Sequence, residues 1–232
     1  CRVWQNKTSK QILEQLFADA GFTAFDWALE GDPPQREFVI QYNESDFDFA
    51  CRLMEEDGLF WYFVHADGSH TLKIGNSNAA FPEAEGAKLV TALAHDGVDA
   101  HSGTTAEEVW VPGKVATAEY EFRASQNVLT AEANSVLGRP LADKFEVFVW
   151  PGRYTTTARG SSAASSADGD PVKQRMVEAI EAQSARTSFS SGAAWLAPGS
   201  RITIGSYADD TSADRKLVVE TQAHQAADES HL

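Results

Sequence analysis

The run Leu59-Phe60-Trp61-Tyr62-Phe63-Val64-His65 constrains this chain most. It is a continuous β-prone segment, and Asp67-Gly68 follows it after one residue. Asp-Gly is a strong two-residue hairpin turn, because both central positions need positive φ. The turn sets a register that pairs Ala66 with Ser69, His65 with His70, Phe63 with Leu72 and Trp61 with Ile74. Side chains alternate across a strand, so Trp61, Phe63, Leu72 and Ile74 share one face, which is expected to be core. Phe60, Tyr62 and Val64 make the other face apolar too. That face is expected to pack on the preceding helix or on a neighbouring subunit.

Two helices precede the hairpin. Thr8 and Gln11 have capping-box spacing, Ile12, Leu13, Leu16, Phe17 and Ala20 recur at helical intervals, and Gly21 closes the segment. After the turn Gly31-Asp32-Pro33-Pro34, Arg36 to Tyr42 reads as a strand. A second helix starts at Ser45, with Asp46 and Asp48 suited to its positive end, and stops at Gly58. Phe47, Ala50, Cys51 and Met54 form its apolar stripe, widened by Phe49 and Leu53. Asp48, Arg52 and Glu55 share the wet side.

From about residue 86 the pattern turns to β. Strands are expected at Lys88–Ala94, Glu107–Val111, Val115–Arg123, Asn127–Ala133, Lys144–Trp150, Ser200–Tyr207 and Lys216–His224. A helix over 171–186 interrupts them, with Asp170 as cap, Pro171 in first position and Val172, Met176, Ala179 and Ile180 as its apolar face. Arg159–Gly169 reads as a Ser/Ala-rich surface loop. The fold class is therefore α+β: a small helix–strand–helix–hairpin region over 1–85, then a mainly antiparallel β-barrel over 86–232 with one inserted helix.

The net charge of −15 over 232 residues excludes a phosphate-binding surface of clustered Lys and Arg and a polybasic membrane anchor. No stretch has the ~18 uninterrupted apolar residues of a membrane helix. Cys1 and Cys51 make neither a disulfide framework nor a zinc site by spacing.

Candidate chemistry is sparse. There is no nucleophile elbow, Walker loop, H-E-x-x-H or C-x-x-C. His65 and His70 face each other across the hairpin and could hold one metal ion, though a stable site needs a third or fourth ligand. Two exposed polar residues beside a turn is the plainer reading. His95-Asp96-Gly97-Val98-Asp99-Ala100-His101 reads as a solvated loop rather than an acid–base or metal cluster. Glu55-Glu56-Asp57 reads as a solvated face, since adjacent helical residues diverge by about 100°. The run Phe60–Phe63 could be a sugar-binding shelf, but alternation splits it between two faces, which favours core and interface packing. No catalytic, cofactor or metal residues are assigned.

The segments Arg36-Glu37-Phe38-Val39-Ile40-Gln41-Tyr42-Asn43-Glu44-Ser45-Asp46-Phe47-Asp48-Phe49 and Cys51-Arg52-Leu53-Met54-Glu55-Glu56-Asp57-Gly58-Leu59-Phe60-Trp61-Tyr62-Phe63 resemble the VgrG family of type VI secretion spike proteins. Arg2-Val3-Trp4-Gln5-Asn6, Tyr120-Glu121-Phe122, Trp150-Pro151-Gly152-Arg153-Tyr154, Pro198-Gly199-Ser200-Arg201-Ile202-Thr203-Ile204-Gly205 and Lys216-Leu217-Val218-Val219-Glu220 follow in family order. The resemblance implies a non-enzymatic, homotrimeric hub similar to the baseplate hub of contractile phage tails. It implies docking on the hexameric Hcp tube, possible effector or tip proteins as cargo, and no cofactor, nucleic acid or stable membrane insertion. It places the protein in the bacterial cytoplasm before firing and in the medium or target cell afterwards. On this reading the chain lacks the family's first barrel, OB-fold and needle. The alternatives are a phage-tail hub and a carbohydrate-binding or hydrolytic β-domain.

Overall fold

In the computed structural model of the chain, which describes residues 1–91, 100–156, 162–205 and 214–225, the expected signals of the first two helices act where the sequence puts them. Thr8 caps α1 (Ser9–Asp19): its Oγ1 accepts from Gln11 N at 3.2 Å, and Gln11 Oε1 accepts from Thr8 N at 3.1 Å. At the other end Gly21 takes φ 72°. Phe22 N then donates to Phe17 O at 2.8 Å and Gly21 N to Ala18 O at 3.0 Å. The Phe17 and Phe22 rings meet edge-on at 5.7 Å. This is a Schellman stop with its apolar contact. Ser45 caps α2 (Asp46–Asp57), accepting from Asp48 N at 3.0 Å, and Gly58 ends it at φ 68°.

The chain divides into two compact units, each gathered from three stretches. The first comprises Cys1–Thr23, Gly31–Phe60 and Ala106–Thr187; the second comprises Ala24–Glu30, Trp61–Thr105 and Ser188–Leu232. The expected single cut between residues 85 and 86 does not coincide with this division.

In the first unit, β1 (Arg2–Thr8) pairs antiparallel with β3 (Gln35–Gln41), Val3 opposite Ile40 and Gln5 opposite Phe38. α1 packs on α2. Ile12, Leu13, Phe49 and Leu53 are fully buried, each contributing roughly 1.5–3 kcal/mol by leaving water. Phe47, expected in the same stripe, is instead 66% exposed. A three-stranded sheet runs β10 (Glu146–Val149), β8 (Lys114–Tyr120), β9 (Val128–Asn134). Helix α3 (Asp170–Ala182) lies on β8 and β9.

Its N-terminus departs from expectation. Asp170 does not cap it; it is the first helical residue and pairs with Lys173. A 3-10 turn, Ser166–Gly169, leads into the helix, and Ser165 with Asp168 supplies the capping box one turn earlier. The helix stops at Ala182 rather than 186, because β11 (Ala185–Ser191) begins there. Its deepest residue is Val177, while Ala179, expected on the apolar face, is exposed.

In the second unit, β5 (Ser69–Gly75) lies between β2 (Phe25–Ala28) and β4 (Phe60–Ala66). A five-stranded sheet runs β11, β7 (Ala100–Glu108), β6 (Glu83–Thr91), β12 (Arg201–Gly205), β13 (Arg215–Val218). Leu89, Ala193, Ile202 and Ile204 form its core, flanked by Phe189, Trp195, Leu196 and Leu217.

The α+β class holds, and the strands are mixed in sense. β8–β9, β1–β3 and β12–β13 are antiparallel, whereas β10–β8, β12–β6, β6–β7 and β2–β5 are parallel. Parallel pairing needs long crossovers, which periodicity along the chain does not reveal. Among the described residues each sheet order is open at both ends.

Candidate functional site

The segments that carry the family resemblance build two polar clasps and one tight turn. The first clasp lies in the first unit. Arg36 on β3 is 8% exposed. Its guanidinium reaches Asp57 Oδ1 at 2.9 Å and also bonds Glu56 Oε2, both at the C-terminal end of α2. Arg52, one turn earlier, donates to Glu56 at 3.3 Å and forks onto Glu44 through Nη2 at 2.6 Å and Nε at 3.1 Å. Arg153, in the turn after β10, adds a bond to Glu56 at 2.7 Å. One carboxylate thus ties together three guanidiniums from a strand, a helix and a turn. Paired Arg–carboxylate contacts of this kind are strong and fix orientation.

Glu55-Glu56-Asp57 is therefore not a wet face as a whole. Glu55 is exposed, but the Glu56 and Asp57 side chains are only 18% and 4% exposed. Burial pushes the Glu56 carboxyl up; the bond and charge of Arg36, with Arg52 and Arg153, outweigh this and hold it below the usual carboxylate range. The Arg52 hydrogen bond lowers Glu44 in the same way.

A pH dependence follows from Glu56. Its folded value lies below its unfolded one, so its stabilisation is complete above the ordinary carboxylate value, about 4.3. It is lost as pH falls through the lower folded value. Urea midpoints of the chain and of Glu56→Gln should differ by a constant amount down to about pH 5 and draw together as pH falls further, through the ordinary carboxylate value and the lower folded one. A gap that persists unchanged to about pH 3 would contradict the assignment.

The second clasp centres on Glu121, 2% exposed. Its carboxylate accepts from Arg123 N at 3.0 Å and Ala164 N at 3.1 Å. Nearby, Gly152 N donates to Ala118 O at 3.0 Å. A Cβ on Gly152 would meet Tyr154 at 2.5 Å and Thr117 Oγ1 at 2.6 Å. Tyr154 is 2% exposed and donates to Leu129 O at 2.7 Å. The motif residues Glu121, Gly152 and Tyr154 are thus buried structural pieces of the first unit.

Their aromatic neighbours point outward. Tyr120 is 58% exposed, Val128 opposite it 78%, and Phe148 60%. Phe122 and Trp150 are 73% and 65% exposed. On the β1–β3 ribbon, Val3, Phe38, Ile40 and Tyr42 are exposed while Val39 and Gln41 are buried. Isolated exposed apolar residues are ordinary; contiguous ones mark contact surfaces.

In the second unit the hairpin departs from the expected faces. Leu72 and Ile74 are buried, but Trp61 is 41% exposed and Phe63 only partly buried. Tyr62, on the face expected to await a helix or a neighbour, is 8% exposed. Its ring stacks at 5.7 Å on Phe81, and its hydroxyl donates to Ala80 O at 2.6 Å. Gly199, φ 84°, lies against that ring. Residues in the unit's own later stretches cover Tyr62, which the local pattern could not reveal.

His65 and His70 are both exposed, with ring centroids 6.2 Å apart, as facing positions require. Residues 95–99 of the His95–His101 cluster lie outside the described residues, as do 92–94, 159–161 and 206–207 of the expected β-strands and surface loop. His101 itself is not in a solvated loop. It sits on β7, 6% exposed. Its Nε2 meets Gly205 O at 3.2 Å, so Nε2 carries a proton, and its Nδ1 meets Thr104 Oγ1 at 2.7 Å. Among the described residues no group of three or more His, Cys, Asp or Glu converges as a metal cluster. A groove of about 220 Å³, lined by Glu107, Val109, Val111, Gln183 and Arg186, is smaller than typical ligand pockets of roughly 300–1,000 Å³.

Buried clasps and outward aromatics describe a cross-tied scaffold that carries exposed apolar side chains. The chain belongs to the phage tail baseplate hub (GPD) family, whose model matches residues 1–230. It is 27% identical over 223 residues to the type VI secretion system spike protein VgrG1a of Pseudomonas aeruginosa, covering 94% of this chain and 33% of that protein. It is 29% identical over 164 residues to the actin cross-linking toxin VgrG1 of Vibrio cholerae, covering 69% of this chain and 15% of the toxin. The chain thus spans no more than about a third of these relatives. In fold it is similar to a tail protein from Neisseria meningitidis, with a TM-score of 0.61, 13% identity and coverage of 94% of this chain and 62% of that one.

Proposed function

We propose that this chain is a structural part of a type VI secretion spike, a trimeric hub that joins the Hcp tube to a needle for envelope puncture and effector delivery. The observation that carries this reading is the outward face of β8, β9 and β10, where Tyr120, Val128 and Phe148 stand exposed on a sheet pinned from behind by α3. A rigid sheet whose outer face carries these apolar side chains beside the ion pairs of Lys114 with Glu132 and Glu146 suits a partner surface that must not slide under load. The clasps support the same reading, since they cross-tie helix, strand and turn without presenting a reactive group. The hub's work is mechanical, and the protein acts in the bacterial cytoplasm before firing and outside it afterwards.

Family membership also favours a second reading, a baseplate hub in a contractile phage tail. One experiment separates them. Deleting the gene that encodes this chain should abolish release of Hcp into the medium by the producing bacterium, and the intact gene should restore it. Undiminished Hcp release, with loss of phage particles instead, would favour the tail hub; loss of neither would remove both readings.

A further inference from the structure

We propose that His65 and His70 form an open binding site for a borderline divalent transition cation of the Ni²⁺, Cu²⁺ or Zn²⁺ type, at the turn end of the β4–β5 hairpin. Both imidazoles are exposed, and among the described residues neither forms a hydrogen bond or ion pair, so their nitrogens are available. Their centroids lie 6.2 Å apart with the planes at 46°. Imidazole nitrogens bind such ions at roughly 2.0–2.1 Å, which brings two rings on one tetrahedral ion to centroids about 5 Å apart. The closure needed is about 1 Å, which side-chain rotation supplies at exposed positions.

Two features limit how far the rings drift. The tight turn at Gly68, φ 69°, joins the strands that carry them. The Phe63 ring stands edge-on to His70 at 5.5 Å and lies 6.3 Å from His65. Paired strands hold the two ligands before the ion arrives, so the second nitrogen binds as an intramolecular event. Imidazole donors select nickel, copper and zinc over magnesium and calcium, which prefer oxygen. The chain's net charge of −15 raises the local cation concentration. No third protein ligand converges among the described residues, so water completes the coordination and the ion exchanges readily. When bound, it staples β4 to β5.

Calorimetric titration of Ni²⁺ into the whole chain tests this, with His65→Asn, His70→Asn and the double variant alongside. Each single substitution should weaken the tightest step at least ~10-fold, and the double should be no weaker than either single, because one imidazole alone makes no chelate. Excess Mg²⁺ should not displace the nickel. Circular dichroism should show all three variants folded, since the two positions are exposed. Three results would overturn the proposal: no Ni²⁺ step in the unsubstituted chain, single variants that bind as it does, or losses that add as for independent imidazoles.

Discussion

Arg36→Ala should destabilise the chain by about 3–5 kcal/mol, the cost of leaving the buried Asp57 carboxylate without its ion-pair partner. Arg36 bonds both Glu56 and Asp57, whose side chains are 18% and 4% exposed, and Asp57 Oδ2 already has no hydrogen-bond partner among the described residues. Arg52 and Arg153 still reach Glu56 after the substitution, but Asp57 loses its ion-pair partner. Combining Arg36→Ala with Asp57→Asn should therefore restore part of the loss, since the second change removes the stranded charge. Chemical denaturation of the three proteins measures this. Strict additivity would show that the pair contributes little, as surface ion pairs do.

Gly199→Ala should be comparably damaging for a different reason. At φ 84° an alanine pays about 1–3 kcal/mol in backbone strain alone. Its Cβ would also stand 2.2 Å from Cγ and Cδ2 of Tyr62. That part of the ring cannot swing away, because the hydroxyl is tied to Ala80 O at 2.6 Å and Phe81 stacks on the ring. Overpacking at such a site costs roughly another 1–3 kcal/mol. Pairing Gly199→Ala with Tyr62→Ala, read against Tyr62→Ala alone, should remove most of the second part, since alanine lacks the Cγ and Cδ2 that the new Cβ meets. Thermal melts of the single and double variants should show partial recovery; a single variant that melts like the parent would mean that the turn yields without strain.

These sites also show what the sequence made legible. Helix ends are local: Thr8 with Gln11, Ser45 and Gly58 act within one turn, so α1 and α2 begin and stop where their caps say. β8 and β9 alternate strongly enough to be seen in the chain. β1, β2, β7 and β11 do not show in the sequence pattern: Arg2–Thr8, Ala100–Glu108 and Ala185–Ser191 are mostly polar, Phe25–Ala28 is only four residues, and they become strands by pairing with β3, β5, β6 and β7. Glu56 reads as solvated from its own helix, since its partners Arg36 and Arg153 lie 20 residues before and 97 residues after it. His101 reads as a loop residue until Gly205, 104 residues on, supplies its acceptor. Tyr62 and Trp61 exchange their expected environments for the same reason: what covers a strand face is set by distant segments. The hub resemblance was legible because the quoted motifs are long.

The central claim is that the exposed sheet face serves a symmetric assembly. It is tested most directly by the solution mass of the full-length protein that carries this chain, measured by light scattering behind size exclusion, beside a Val128→Asp/Phe148→Asp variant. The account predicts a trimer for the parent and a smaller, still folded species for the variant. A stable monomeric parent, or a variant that remains trimeric, would contradict it.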